Sequence, residues 1–166
     1  MNLAISDTSP LNYLVLTGFE TILPRLFGQI VIPTAVMEEL SHDGTPPEVK
    51  RWASNLPSWV ETRVVDDLDH SIKLGTGEVA AISLAQKLQD AFLLTDDRQA
   101  ANAARQRGVI KVIGTLALLA EADRRGDVDF FEALQKLLST NFRVSRNVIT
   151  HVSERVLKNR SHDNEQ

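Results

Sequence analysis

At 166 residues, with 43% apolar and 24% charged side chains, the chain is long enough to bury roughly 70% of its unfolded surface and needs no covalent or metal staple. Cysteine is absent, which excludes disulfides and thiolate metal sites, and the four histidines (His42, His70, His151, His162) show no pair at zinc-ligand spacing. The net charge of −4 hides an asymmetry, because residues 1–97 carry 6 basic against 14 acidic side chains while residues 98–160 carry 12 against 6.

Such a division suits carboxylates gathered for a cation and basic groups gathered for an anionic polymer, although ordinary solvated surface produces it as well. The opening Met1-Asn2-Leu3-Ala4-Ile5-Ser6-Asp7 has no basic leader, and no apolar run approaches the ~20 residues of a membrane helix. The chain is therefore expected to be cytoplasmic.

Leu3-Ala4-Ile5 makes a brief strand that ends at Ser6-Asp7-Thr8-Ser9-Pro10. Pro10 suits the first helical position with Ser9 as N-cap, and an apolar helix continues through Leu16. Asp7 is then left without a local structural task and becomes a candidate site residue; the alternative is a simple turn aspartate. A short helix over Thr21 to Phe27 leads to the strand Ile30-Val31-Ile32-Pro33, and Thr34 is expected to cap a helix through Leu40. On a 100° wheel Val36, Met37 and Leu40 share one face, Glu39 lies at its margin and Glu38 turns toward solvent.

After a polar loop, Glu48 to Leu56 reads as a helix and Trp59 to Val65 as an edge strand. Asp66, Asp67 and Asp69 read as a solvated acidic loop rather than a site. Gly75-Thr76-Gly77-Glu78 opens a helix to Gln89 with Thr76 as N-cap. Glu78 stands on the same stripe as Ala81, Ile82 and Ala85. A carboxylate aimed at the core side is costly unless it is paired or binds a cation, which favours function over a first-turn role.

The run Ala91-Phe92-Leu93-Leu94 fits a strand buried on both faces, followed by Thr95-Asp96-Asp97-Arg98. One of the two aspartates, Asp96 or Asp97, can cap the alanine-rich helix that ends at Gly108, which leaves the other free. Val109 to Ile113 supplies another strand and Gly114-Thr115 starts a helix to Arg125. Asp129 with Glu132 forms a capping box for a helix to Leu138, and Ser145 caps a last helix through Lys158. Residues 1–158 are expected to form one domain, and 159–166 a disordered tail.

Strands alternating with helices, without a hairpin signal between them, imply an α/β fold of three layers, α/β/α, around a central, mainly parallel sheet of about four or five strands. Asp7, Glu39, Glu78 and Asp96 or Asp97 each come from a strand end or from a helix beside one. Carboxylates converging to ~4 Å repel by about 4 kcal/mol per pair at an effective dielectric of 20. Protonation or a hard divalent cation relieves that, and an all-oxygen set suits Mg²⁺ or Mn²⁺. Such ions activate water and stabilise charge in phosphodiester hydrolysis. Arg98 is the nearest candidate for a phosphate contact, and Thr8, Ser9 and Thr95 are candidates for orienting metal-bound water.

Ile5-Ser6-Asp7-Thr8-Ser9-Pro10-Leu11, Ile32-Pro33 to Glu39-Leu40, Gly77-Glu78-Val79-Ala80-Ala81-Ile82, Leu94-Thr95-Asp96-Asp97-Arg98 and Gly114-Thr115 resemble, in order and spacing, the PIN domain, most closely its prokaryotic VapC-like members. The resemblance covers about residues 2–158. It implies a Mg²⁺- or Mn²⁺-dependent ribonuclease, often the toxin of a toxin-antitoxin pair, inhibited by a small cognate antitoxin protein and commonly homodimeric. By position Asp7, Glu39 and Glu78 would be its first three metal-site acids, with Asp96 or Asp97 the fourth. Two departures matter: the third acid is often Asp, and the fourth is usually written T-x-D, which selects Asp97 although Asp96 follows the strand directly. A PIN-fold binding or dimerisation module with weak catalysis is the alternative function. Receiver-like phosphotransfer is disfavoured because the late strand is followed by Gly114-Thr115 and not by a lysine.

Overall fold

The computed structural model describes residues 2–163. Along the chain these form β1 (Leu3–Ser6), α1 (Thr8–Thr17), α2 (Ile22–Phe27), β2 (Gln29–Pro33), α3 (Thr34–Leu40), α4 (Pro47–Ser54) and β3 (Val60–Arg63). There follow α5 (Thr76–Lys87), β4 (Phe92–Leu94), α6 (Arg98–Gln106), β5 (Val112–Ile113), α7 (Thr115–Arg124), α8 (Phe130–Leu138) and α9 (Arg146–Asp163). The five strands make one sheet in the order β3-β2-β1-β4-β5, with every pairing parallel. This is the α/β architecture expected from the alternation of strands and helices.

The central strands are apolar on both faces because both faces are covered. Ile5 sits in register between Val31 and Leu93, and all three turn toward α5 and α6. There they meet Ala81, Ala85, Ala100 and Ala104, whose small side chains let the helices lie close on the sheet. Ala4, Ile30, Ile32 and Leu94 point the other way, into a larger core shared with Leu11, Leu14, Leu118 and Phe130. No helix among the described residues is long and apolar enough to cross a membrane.

Several local expectations are corrected. Helix α1 begins at Thr8, so Asp7 and not Ser9 is its N-cap: Thr8 N donates to Asp7 Oδ1 at 2.8 Å. The reason is that β1 runs into α1 without a spare loop. The Asp7 amide still donates to Leu94 O at the sheet edge while its carboxylate already serves the helix. Thr34 and Thr76 are first helical residues without side-chain caps, the N-cap positions being Pro33 and Gly75. β5 is confined to Val112–Ile113; before it Val109 is buried and its amide donates back to Ala104 O at the end of α6, while Ile110 is 79% exposed.

The last helix runs on to Asp163 instead of stopping at Lys158. Arg160, in that extension, reaches Asp123 and Asp129. The expected disordered tail is thus helix over 159–163, and 164–166 lie outside the described residues. Of the aspartate pair it is Asp97 that caps α6, and the caps expected at Asp129 and Ser145 are found, the three accepting from Ala100 N, Glu132 N and Val148 N. Gly108 and Gly126 end their helices with φ of 82° and 79°, a left-handed turn that glycine makes without steric cost.

Candidate functional site

The strand order reverses between β1 and β4. In open parallel sheets the crevice at the carboxyl ends of such strands collects ligands. Here it is a cleft of about 490 Å³, and it gathers all five sequence-predicted acids: Asp7, Glu39, Glu78, Asp96 and Asp97. Asp7 leaves β1, Asp96 and Asp97 follow β4, Glu39 comes from the last turn of α3 and Glu78 from the first turn of α5.

Hydroxyls and backbone amides hold each acid. Thr95 Oγ1 donates to Asp7 Oδ2 at 3.0 Å. The Thr8 hydroxyl donates to Glu39, which also accepts from Gly77 N at 3.1 Å. Ser9 Oγ donates to Asp96 Oδ2 at 3.2 Å, and Thr115 reaches Asp96 twice at 2.7 Å, from its amide and from its hydroxyl. The three hydroxyls expected to orient water therefore each donate to a different carboxylate. Glu78 turns back to accept from Gly75 N at 2.8 Å, and it is half-buried beside the stripe rather than within the core. Asp97 is exposed and caps α6, whereas Asp96 faces the cleft.

Close approach of backbone to carboxylate explains two glycines. A Cβ at Gly77 would stand 2.5 Å from Glu39 Oε1, and one at Gly114 would stand 3.0 Å from Asp96 Oδ1. Only a residue without a side chain lets the helix starts of α5 and α7 come so near these acids.

The electrostatics follow from burial without compensation. Asp7 is 5% exposed, and burial pushes its pKa up to about 6, opposed by the Thr8 and Thr95 hydrogen bonds and reinforced by the charges of Glu78 and Glu39. Asp96 is likewise raised by burial, against the hydrogen bonds from Thr115 and Ser9. None of the five acids forms an ion pair with a described lysine or arginine. An all-oxygen, uncompensated set has the chemistry of a hard-cation site. As the side chains stand, however, no three Asp, Glu or His groups among the described residues are gathered closely enough to hold a metal ion.

Arg98 does not line the cleft and is exposed at the start of α6. The basic side chain that lines it is Arg143, from the segment between α8 and α9. Across from it Tyr13 packs edge-on against Phe142 at 4.9 Å, with its hydroxyl donating to Asn141 at 3.0 Å. Burial and the charge of Asp96 raise the Tyr13 pKa, and Arg143 opposes them. Sequence reasoning missed Tyr13, Asn141 and Arg143. The one available signal was the basic bias of residues 98–160, which has no position attached to it.

A family model described as PIN domain matches residues 3–158 of the chain. Among solved structures, the chain resembles a PilT N-terminus domain protein from the hyperthermophilic archaeon Sulfolobus solfataricus, with a TM-score of 0.52 and 21% sequence identity. That match covers 72% of this chain and 92% of the other, and it shows a shared fold. No curated protein matches the chain.

Proposed function

The chain belongs to the PIN-domain family, a family of nuclease fold, and on that premise we propose that it is an endoribonuclease dependent on Mg²⁺ or Mn²⁺. The observation that carries this reading is the cleft at the sheet's switch point, which five carboxylates line and in which none of them forms an ion pair among the described residues. Asp7, Glu39, Glu78 and Asp96 would hold the cation, with Asp97 at the rim; a bound cation supplies an activated water and a sink for phosphate charge.

The chain's own residues do the rest. Thr8, Ser9, Thr95 and Thr115 hold the carboxylates by hydrogen bonds, so their orientation is set before a substrate arrives. Asp7, with its pKa near 6, is mostly ionised at neutral pH and mostly protonated one unit below that value. Arg143 is the cationic group placed to meet an RNA phosphate as it enters. Type II toxin action, a small antitoxin protein as inhibitor and a homodimeric state belong to the same proposal, supported by the VapC-like resemblance.

The test is cleavage of a labelled RNA with and without Mg²⁺ or Mn²⁺. Cleavage abolished by chelation and by Asp7→Asn supports the reading, and cleavage that survives both overturns it. A second reading, a PIN-fold binding module, is favoured by one feature: each acid is already satisfied by a hydroxyl or amide and no three of them gather. Calorimetric titration with Mn²⁺ decides between them, since the module predicts no saturable binding lost in Asp7→Asn.

A further inference from the structure

A second hollow lies on the far side of the wall formed by α3 and α5. It is a groove of about 640 Å³ between the outer face of α3, the start of α5 and the loop that follows β3. At the start of α5, its N-cap Gly75 and Glu78 line the acidic cleft while Thr76 and Val79 line the groove, and on α3 Glu39 lines the cleft while Glu38 lines the groove. The hydrogen bond from Gly77 N to Glu39 joins the two helices between the hollows. The two hollows are therefore neighbours that share α3 and α5 as their common wall.

The floor of the groove is apolar, from Val64, Val65, Leu74 and Val79, and Val64 is left 67% exposed to solvent. Two opposite charges share it, Glu38 and Lys73. Both are exposed, and neither makes an ion pair among the described residues. A concave, mostly apolar surface with a few polar groups is the make-up of a site for a small ligand.

We propose that this groove reads a guanine base of the RNA next to the bond that is cut. The inference rests on the nuclease reading for the presence of RNA, while the choice of base comes from the groove's own chemistry. Guanine alone presents two adjacent N–H donors on its Watson–Crick edge, beside a carbonyl oxygen. A carboxylate accepts from both donors, and an ammonium donates to the carbonyl or to N7. Adenine and cytosine place a lone pair next to their amino group, which a carboxylate repels, and uracil offers a single N–H between two carbonyls. Glu38 supplies the carboxylate, Lys73 the ammonium, and the valine floor receives the face of the base.

The test uses oligo-uridine hexamers carrying one central G, A or C, titrated by fluorescence anisotropy into full-length Asp7→Asn protein so that nothing is cut. The G hexamer should bind at least tenfold more tightly than the others. Adding Glu38→Gln should bring it to the level of the A hexamer, and adding Lys73→Gln should weaken it severalfold. Both side chains are exposed, and an unchanged melting temperature confirms folding of the variants. Equal affinity for all three hexamers, no binding, or a G preference that survives Glu38→Gln overturns the proposal. Because binding is read without cleavage, a protein that cuts no RNA would sink the nuclease reading and still leave the groove to be decided. In active wild-type protein, sequencing of cleaved ends should find guanine at one fixed place, and Glu38→Gln should scatter it.

Discussion

Two aspartates with largely covered side chains have opposite fates in this molecule. Asp7, 5% exposed at the carboxyl end of β1, is held by an amide and a threonine hydroxyl, and its pKa is pushed up to about 6. Asp123, whose side chain is 6% exposed in α7, is met by the Arg160 guanidinium from α9 and by Phe130 N. Arg160 also contacts Asp129, which lies below the usual carboxylate range through its Glu132 amide bond and Arg160, and the guanidinium's own pKa is raised in return. Asp7 is buried, and Asp123 is half-buried with its side chain largely covered. The corner of α7, α8 and α9 neutralises its charge within the fold, whereas the cleft leaves its charge to be neutralised from solution.

The largest effect that probes this contrast is Asp7→Asn. It should lower divalent-cation-dependent RNA cleavage by more than about 100-fold, the scale of losing a group that stabilises transition-state charge. Its effect on stability should have the opposite sign. A folded-state pKa raised from 3.8 to about 6 means the native state binds the proton more tightly, so wild-type stability is full below pH ~4 and falls as pH rises through 6. At 1.36 kcal/mol per unit the loss is about 3 kcal/mol. Urea denaturation should find the asparagine variant more stable than wild type at pH 8 and equal to it at pH 4; equal stability at both would break the contrast.

Arg160→Ala tests the other pole. Stranding a buried carboxylate costs 3–5 kcal/mol, and since Arg160 is 39% exposed a loss of about 2 kcal/mol is expected. Cleavage per folded molecule should not change. Gly77→Ala sharpens the account of the cleft. In an ordinary helix interior this change gains about 1 kcal/mol, but here the new methyl collides with Glu39, so urea midpoints should show no gain and Mn²⁺ affinity should fall about tenfold. The smallest effect belongs to Asp97→Ala, which removes a helix cap worth about 1 kcal/mol, while Asp97→Asn keeps the cap. If Asp97→Asn cleaves like wild type and Asp96→Asn does not, the fourth cation acid is Asp96.

Much of the fold was legible because its signals are local. The uninterrupted apolar runs Ala4-Ile5 and Phe92-Leu93-Leu94 state that both sheet faces are covered, and the missing hairpin turns state that the strands are parallel. The acids that meet in the cleft could also be picked out, as carboxylates at strand ends or on helices beside them. Ser9 was read as a cap because serine before proline is a good local cap, and only the direct passage from β1 into α1 gave that task to Asp7.

The amino-acid sequence by itself determined a parallel α/β sheet with carboxylates delivered to its carboxyl edge, since strand patterning and residue type act over a few neighbours. Tertiary structure alone decided which hydroxyl holds which acid, because partners such as Ser9 and Asp96 are 87 residues apart and leave no mark on each other's neighbourhood. It also decided that Arg143 and not Arg98 meets the cleft, and that Glu38 and Lys73 share a groove. Those choices depend on how α3, α5 and the chain before α9 pack around the sheet, and packing is a property of the whole chain.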